Sequence, residues 1–367
     1  MDWISIKNAC ELLKVSRPTL DVYRRKHRLR EAKLGGKVCF SKTELIVKMI
    51  LPVDRIHERF SLTLFEEYDI CQIQPLVGVY DLRMIKAIDA FGVMALLCSI
   101  KSYLKNNENQ SVHLILDGSP FCSYLKSIGF FTEVERTHRD RVFCNYNALQ
   151  KHIQSRQAVI LPLHLIGYRG AEKKIMDELY DPLLKQGFSE DYCGHIGWII
   201  GELCDNAHTH SEGPCYLIIE AFQESQRKAM HTPSTTTRFL SIAIGDTGIG
   251  IPESLRKNQQ YKSVKKNILL PLAFQSEVSR MEVEPKRGKG LNDVLGISKG
   301  NHSLVRVESG DLALLFDFRS HLEKIKFLPP SVHATGTRFC LVLIDNKFKK
   351  VSRESVDQTI HHFLNGV

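Results

Sequence analysis

Glu202 and Asn206 stand four residues apart in a stretch, residues 192–210, whose apolar positions Ile196, Ile199, Ile200, Leu203 and Ala207 recur at helical spacing. On a helix the two side chains emerge on one side, a turn apart. A carboxylate placed there can orient or deprotonate an attacking group. The amide oxygen one turn along can ligate Mg²⁺, a hard cation that prefers oxygen. The same pair also suits the polar edge of an ordinary amphipathic helix. Asp246 opens the run Asp246-Thr247-Gly248-Ile249-Gly250-Ile251-Pro252, where the glycines let the backbone approach a flat ligand and turn sharply. Its carboxylate can accept a hydrogen bond from the amino group of adenine, whereas guanine presents no donor at that place. By itself the run also reads as a turn. Arg287-Gly288-Lys289-Gly290-Leu291 sets cations among glycines just before a helix beginning Leu291-Asn292-Asp293-Val294. Backbone amides at a helix start attract phosphate, and Lys289 or Arg287 adds charge.

These groups need strands to carry them. Residues 215–222 and 239–244 read as two β runs joined by a polar loop rich in Ser and Thr, and the second delivers Asp246. Residues 303–308 read as a third strand, with a turn at Ser309-Gly310. Gly336-Thr337 precedes a fourth over residues 338–343.

The order of these boxes resembles the GHKL (Bergerat) ATPases, the nucleotide-binding family that includes gyrase, histidine kinases and anti-sigma kinases. The resemblance covers residues 157–346. It implies a two-layer α/β sandwich that binds ATP with Mg²⁺. Glu202 would be the general base, Asn206 the Mg²⁺ ligand, and Asp246 the adenine anchor backed by Gly248 and Gly250. Gly288, Lys289, Gly290 and Leu291 would form the phosphate-side box, and Thr337 a second adenine-side contact. Residues 253–286 would form a mobile lid, with Lys262, Lys265 and Lys266 on its solvated face. There is no His-Glu-x-x-x-Pro phosphoacceptor sequence, which argues against an autophosphorylating sensor. Only about two dozen residues follow Leu343, read here as a C-terminal helix over 347–367, which argues against a gyrase-like clamp. His208 and His210 have no third ligand near them in sequence, so a metal is not expected there.

The formal charge of +9 is concentrated at one end: residues 1–50 hold 12 Lys and Arg against 5 Asp and Glu. A polyanion partner or a solvated surface would each fit such an excess. Ser5 can cap a short helix through Leu13. Val15 and Ser16 make a break, and Ser16-Arg17-Pro18 starts a second helix running to about His27. Leu34-Gly35-Gly36-Lys37-Val38 reads as a tight hairpin, and Ser41 caps a helix containing Leu45, Ile46 and Met49. The pattern is similar to the small winged helix-turn-helix of excisionases and MerR-like regulators, over residues 1–52. That resemblance implies DNA binding, with Arg17, Thr19, Tyr23, Arg24 and Arg25 on the helix that enters the major groove and Lys37 on the wing against phosphate. A helix-turn-helix used for protein docking is the alternative.

Residues 53–156 alternate helix-like and strand-like runs: a helix over 91–104, a strand over 112–116 and a helix over 120–128. The order suggests an α/β unit with a parallel or mixed sheet. Asp89-Ala90-Phe91-Gly92 and Leu125-Lys126-Ser127-Ile128-Gly129-Phe130 resemble segments of STAS domains. Ala90 stands where those domains often carry a phosphorylatable serine, so a serine switch does not carry over.

With 43% hydrophobic residues the chain can bury several cores, giving a multidomain α/β and α+β protein. No apolar run reaches the roughly 20 residues that cross a bilayer, and the start lacks a secretory pattern. Ten cysteines without a CxxC pair point to reduced thiols in a cytoplasm. Three functions fit these features. The first is a regulator in which ATP binding or slow hydrolysis alters DNA binding. The second is a protein serine/threonine kinase of the anti-sigma type, and the third an interaction module in which ATP is structural. A protein partner and a homodimer both stay open.

Overall fold

The computed structural model describes residues 2–50, 59–64, 70–74, 76–146, 158–211, 214–223, 238–278, 289–320, 322–332, 334–344 and 348–366. The N-terminal unit runs β1 (Trp3–Ser5), α1 (Ile6–Leu13), α2 (Arg17–Lys26), β2 (Glu31–Leu34), β3 (Lys37–Ser41) and α3 (Lys42–Leu45), which continues as a π turn over Ile46–Ile50. The three serines cap as their positions predict. Ser5 Oγ accepts from Asn8 N at 3.2 Å, Ser16 Oγ from Thr19 N at 3.4 Å and Ser41 Oγ from Glu44 N at 3.2 Å. The break between the helices covers Lys14, in the left-handed region at φ 54°, and the expected Val15 and Ser16. Gly35 and Gly36, at φ 57° and 75°, form the two-residue hairpin turn that requires positive φ twice. The edge strand β1, paired with β3, has no signal in the sequence because it is three residues long and half-buried. Ala9, Leu20, Leu29, Phe40 and Leu45 close a small core.

The middle unit contains β4 (Phe60–Leu62), β5 (Val79–Asp81), β6 (Ile85–Ile88), α4 (Ala90–Asn106), β7 (Val112–Ile115), α5 (Pro120–Ser127), α6 (Phe130–Glu135) and β8 (Val142–Cys144). Its strands form two small parallel sheets, β4-β6 and β5-β7-β8, in keeping with the α/β order of the sequence. Asp89 caps α4, its Oδ1 accepting from Gly92 N at 3.0 Å. Fourteen of the 17 residues of α4 are buried. A helix apolar all round must be covered all round, and α4 is held between the middle unit and the large C-terminal sheet.

That sheet is built from β9 (Ala158–Ile166), β10 (Cys215–Gln223), β11 (Arg238–Asp246), β12 (Leu304–Ser309), β13 (Leu312–Asp317), β14 (Lys324–Leu328) and β15 (Thr337–Ile344). Its order is β14-β13-β12-β15-β11-β10-β9, with every neighbouring pair antiparallel. The helices of this half are α7 (Ala171–Lys185), α8 (Glu190–Asn206), α9 (Ile251–Leu255), α10 (Lys266–Leu272), α11 (Gly290–Gly300) and α12 (Arg353–Asn365). They share one core with one face of the sheet, where Leu240, Ile242 and Ile244 of β11 point. Phe239 and Ala243, on the opposite face, belong to the core that contains α4. The sheet is therefore the middle of three layers. This is why β11 reads as a continuous apolar run and not as the alternation of a half-exposed antiparallel strand. The segment read as a mobile lid is helical through α9 and α10 as far as it is described, and Leu269, Leu270 and Phe274 anchor it in the core. Lys262 and Lys265 are exposed, whereas Lys266 pairs with Glu253 at 3.0 Å.

The N-terminal and middle units meet through a polar contact under an apolar one. Ile46 packs with Val79 and Ile115. Thr43 Oγ1 donates to Asp2 Oδ1 at 2.8 Å and lies 2.9 Å from His113 Nδ1, so the histidine donates from Nδ1. Burial, aided by the Lys42 charge, pushes the pKa of His113 down to about 3, outweighing Asp2 Oδ1 at 3.7 Å. A base whose folded pKa lies below its unfolded one contributes stability that is complete above the unfolded value, near pH 6.5, and is lost as pH falls below it. His113 should therefore cost about 1.4 kcal/mol of unfolding free energy per pH unit on acidification below ~6.5. Urea unfolding at pH 7 and pH 5 checks this: His113→Asn should lower the difference between the two by about 2 kcal/mol, and an unchanged difference would show that His113 is not buried neutral.

Candidate functional site

The site begins with strand register. In β12 and β15, Ser309 pairs with Thr337, and in β11 and β15, Gly245 pairs with Arg338, so Asp246 at the end of β11 comes beside Thr337. Three strand ends thus carry Asp246, Thr337 and Ser309 in a row. All are buried, Asp246 at 5% and Thr337 at 6% exposure. Asp246 Oδ1 accepts from Gly248 N at 2.8 Å. Ser309 Oγ accepts from Ile251 N at 2.8 Å and lies 3.0 Å from Thr337 Oγ1. Gly336 has φ 90°, and a Cβ there would lie 2.1 Å from Asp246 O. A residue with a side chain at 336 would push the Asp246 turn away, so this glycine sets how closely the two strand ends approach.

Helix α8 supplies the opposite wall. Ser189 caps it, with Glu190 and Asp191 in its first turn, and its apolar stripe Ile196, Ile199, Ile200 and Leu203 packs on the sheet. The stripe turns Glu202 and Asn206 toward the strand ends. Glu202, Asn206, Asp246, Gly250, Lys289, Gly290, Leu291 and Thr337 all line one cavity of ≈ 370 Å³, drawn together from sequence positions 202 to 337. Gly248 does not line it and acts instead through its N–H on Asp246. Gly288, with Arg287, lies outside the described residues.

Burial raises the pKa of Glu202, helped by the nearby Asp205 and Asp293 carboxylates and opposed by Arg353. A raised carboxylate is a stronger base toward a hydroxyl or water. A Cβ on Gly290 would lie 2.0 Å from Glu202 Oε2, so glycine at the start of α11 is what lets this carboxylate rest there. Among the described residues no group of three or more His, Cys, Asp or Glu side chains is placed to hold a metal ion. A Mg²⁺ at Asn206 would thus complete its shell from a bound phosphate and water, its usual habit. A buried carboxylate on a floor containing Ile244 and Phe339, with Lys289 at a helix start, can receive a flat heterocycle at one end and phosphates at the other.

Among the lining residues that sequence reasoning missed are Trp198 and three charged ones, Asp205, Asp293 and Arg353. Trp198 lies one turn before Glu202 and Asp293 in the first turn of α11, so helical spacing could have found them. Arg353 carries no local signal, because it reaches the cavity from α12.

A second surface lies on the N-terminal unit. Arg17, Arg25 and Lys37 are exposed there. Thr19 Oγ1 is 2.9 Å from Ser16 Oγ, and Arg24 Nη1 donates to Glu31 Oε2 at 3.1 Å. Tyr23 packs against the small core. Of the six residues expected to face a duplex, Arg17, Arg25 and Lys37 are exposed, Arg25 with its Nε donating to Asp21 O at 3.3 Å, and the other three are engaged in the fold. Residues 3–46 match the family model described as a helix-turn-helix domain. The N-terminal unit is a helix-turn-helix domain. No curated protein matches the chain. Among the described residues no helix is long and apolar enough to cross a membrane.

Proposed function

We propose that the protein is a regulator in which a GHKL-type site for Mg-ATP, formed by residues 157–346, is coupled to a DNA-binding helix-turn-helix domain. One observation carries the reading: four sequence boxes, separated by long stretches of chain, converge on a single cavity with a buried carboxylate at one end and a cation-bearing helix start at the other. Asp246 and Thr337 would hold adenine, Asn206 and the phosphates Mg²⁺, and Glu202 would activate the attacking oxygen. Bound Mg-ATP supplies the phosphoryl group, and the chain positions and dries it.

The coupling has a physical route. Helix α4 backs the Asp246 turn: Lys105 Nζ donates to Thr247 O at 3.2 Å, Cys98 Sγ lies 3.7 Å from Asp246 O, and Met94 fills the space behind Gly245. The middle unit that holds α4 also holds the helix-turn-helix domain through His113 and Ile115. We read the middle unit as a STAS-like connector without a serine switch, since Ala90 has no hydroxyl to carry a phosphate. A protein hydroxyl as phosphoryl acceptor is the second reading. It rests on Trp198, 53% exposed at the mouth one turn from Glu202, where an acceptor segment could stack.

Equilibrium titration of the whole protein with Mg-ATP and Mg-GTP, with phosphate release followed in the same samples, tests the proposal. Saturable binding of Mg-ATP, at least tenfold tighter than Mg-GTP, is expected, together with a several-fold change in affinity for duplex DNA. No binding at millimolar Mg-ATP would sink it.

A further inference from the structure

The mouth of the cavity is electrostatically lopsided. Glu202, Asp205 and Asp293 line it, Lys289 and Arg353 are the cations among the described lining residues, and Arg169 pairs with Asp205 from outside the lining. A nucleotide's phosphates would add several more negative charges beside those carboxylates. Arg353 lines the same cavity as Glu202 and can offer a cation to a polyphosphate there, yet it lies outside all four boxes.

Its placement is built. Ser352 Oγ caps α12 by accepting from Ser355 N at 3.3 Å, so Arg353 is the first residue of the helix. Val356 and Ile360 seat the helix in the core. Asp357 Oδ1 accepts from Ser276 N at 2.7 Å and from Asn292 Nδ2 at 3.0 Å, tying α12 both to the segment after α10 and to the first turn of α11. The guanidinium meets Asp293 in a two-toothed pair, with Nε and Nη2 each 2.7 Å from a carboxylate oxygen. This leaves the Nη1 donors without a partner among the described residues. The guanidinium is also close enough for its charge to lower the pKa of Glu202. A planar fork fixed on one edge and open on another suits a phosphate oxygen.

We propose that Arg353 contacts the terminal phosphate of the bound nucleotide and is the residue that distinguishes a triphosphate from a diphosphate. The inference rests on the nucleotide reading above. Asp293 holds the guanidinium in place beforehand, so little side-chain freedom is lost when the phosphate arrives.

The test is a set of dissociation constants for Mg-ATP, Mg-ADP and adenosine with the full-length wild type, Arg353→Ala and Arg353→Lys. Wild type should prefer Mg-ATP to Mg-ADP. Arg353→Ala should weaken Mg-ATP at least tenfold and Mg-ADP less than about twofold, with adenosine unchanged. Arg353→Lys should restore part of the loss, which also guards against a folding artefact. An unchanged ATP-to-ADP ratio in Arg353→Ala, or equal weakening of all three ligands, overturns the inference and leaves the nucleotide reading standing. Absence of Mg-ATP binding to the wild type overturns both.

Discussion

Asp246→Asn should weaken Mg-ATP binding by about 3 kcal/mol, on the order of a hundredfold. One carboxylate oxygen is already used by the Gly248 N–H at 2.8 Å. In the proposed pose the carboxylate must also accept from the adenine amino group. An amide has a single oxygen: turned toward Gly248 it sets its own NH₂ against the adenine donor, and turned toward adenine it sets that NH₂ against Gly248 N–H. Either orientation leaves a donor facing a donor in a buried place, where an unmet polar group is costly. Thermal melting separates lost contact from lost fold, since the variant should melt close to wild type. Unimpaired Mg-ATP binding by Asp246→Asn would mean that adenine does not sit against this carboxylate.

Glu308→Ala should be the most destabilising single change, at about 3–5 kcal/mol. Glu308, Arg306 and Arg338 are all 0–1% exposed on the face of β12 and β15 that meets α4 and the loop after β14. Glu308 Oε1 accepts from Arg306 Nη2 at 2.7 Å and from Ser331 N at 2.9 Å, and its Oε2 from Ser331 Oγ at 2.6 Å. Arg306 also lies over the Phe91 ring at 4.6 Å, and Arg338 Nε is 3.5 Å from Glu308 Oε2. Removing this carboxylate takes away the partner that the buried Arg306 and Arg338 guanidiniums share. The shift in the urea midpoint, at unchanged slope, measures the loss. Glu308→Gln should recover part of it, because the amide oxygen still accepts from Ser331. A midpoint within 1 kcal/mol of wild type would show that the arginines find other partners. Ser309 and Thr337 adjoin these charges in the chain, so the same change should loosen the strand ends that carry Asp246.

Several features were legible because they depend on a few adjacent residues. Ser5, Ser16 and Ser41 cap helices that start where each serine predicts, since a cap bond spans three residues. Gly35-Gly36 marks its turn because two successive positive φ angles exclude most other residues. Asp246 sits at the end of a strand, and Glu202 and Asn206 share one face of a helix, as the apolar spacing requires. The packing beneath α9 and α10 was not legible, because a lysine-rich surface conceals the buried Leu269, Leu270 and Phe274 beneath it. Tyr23 and Arg24 were expected on a duplex-facing surface. Exposure of a helix residue depends on what packs beside it, and here the small core and Glu31 do.

The sequence by itself determined the local chemistry of this protein: where helices begin, where the backbone must turn, and which carboxylates and amides share a helix face. These are short-range consequences of backbone sterics and hydrogen-bond reach. Tertiary structure alone decided that α4 covers the second face of the large sheet, that Arg306, Glu308 and Arg338 share one buried pocket of charge, and that Arg353 of α12 lines the same cavity as Glu202 of α8. Burial and charge pairing are long-range sums over whatever the fold brings together, and no spacing rule along the chain encodes them.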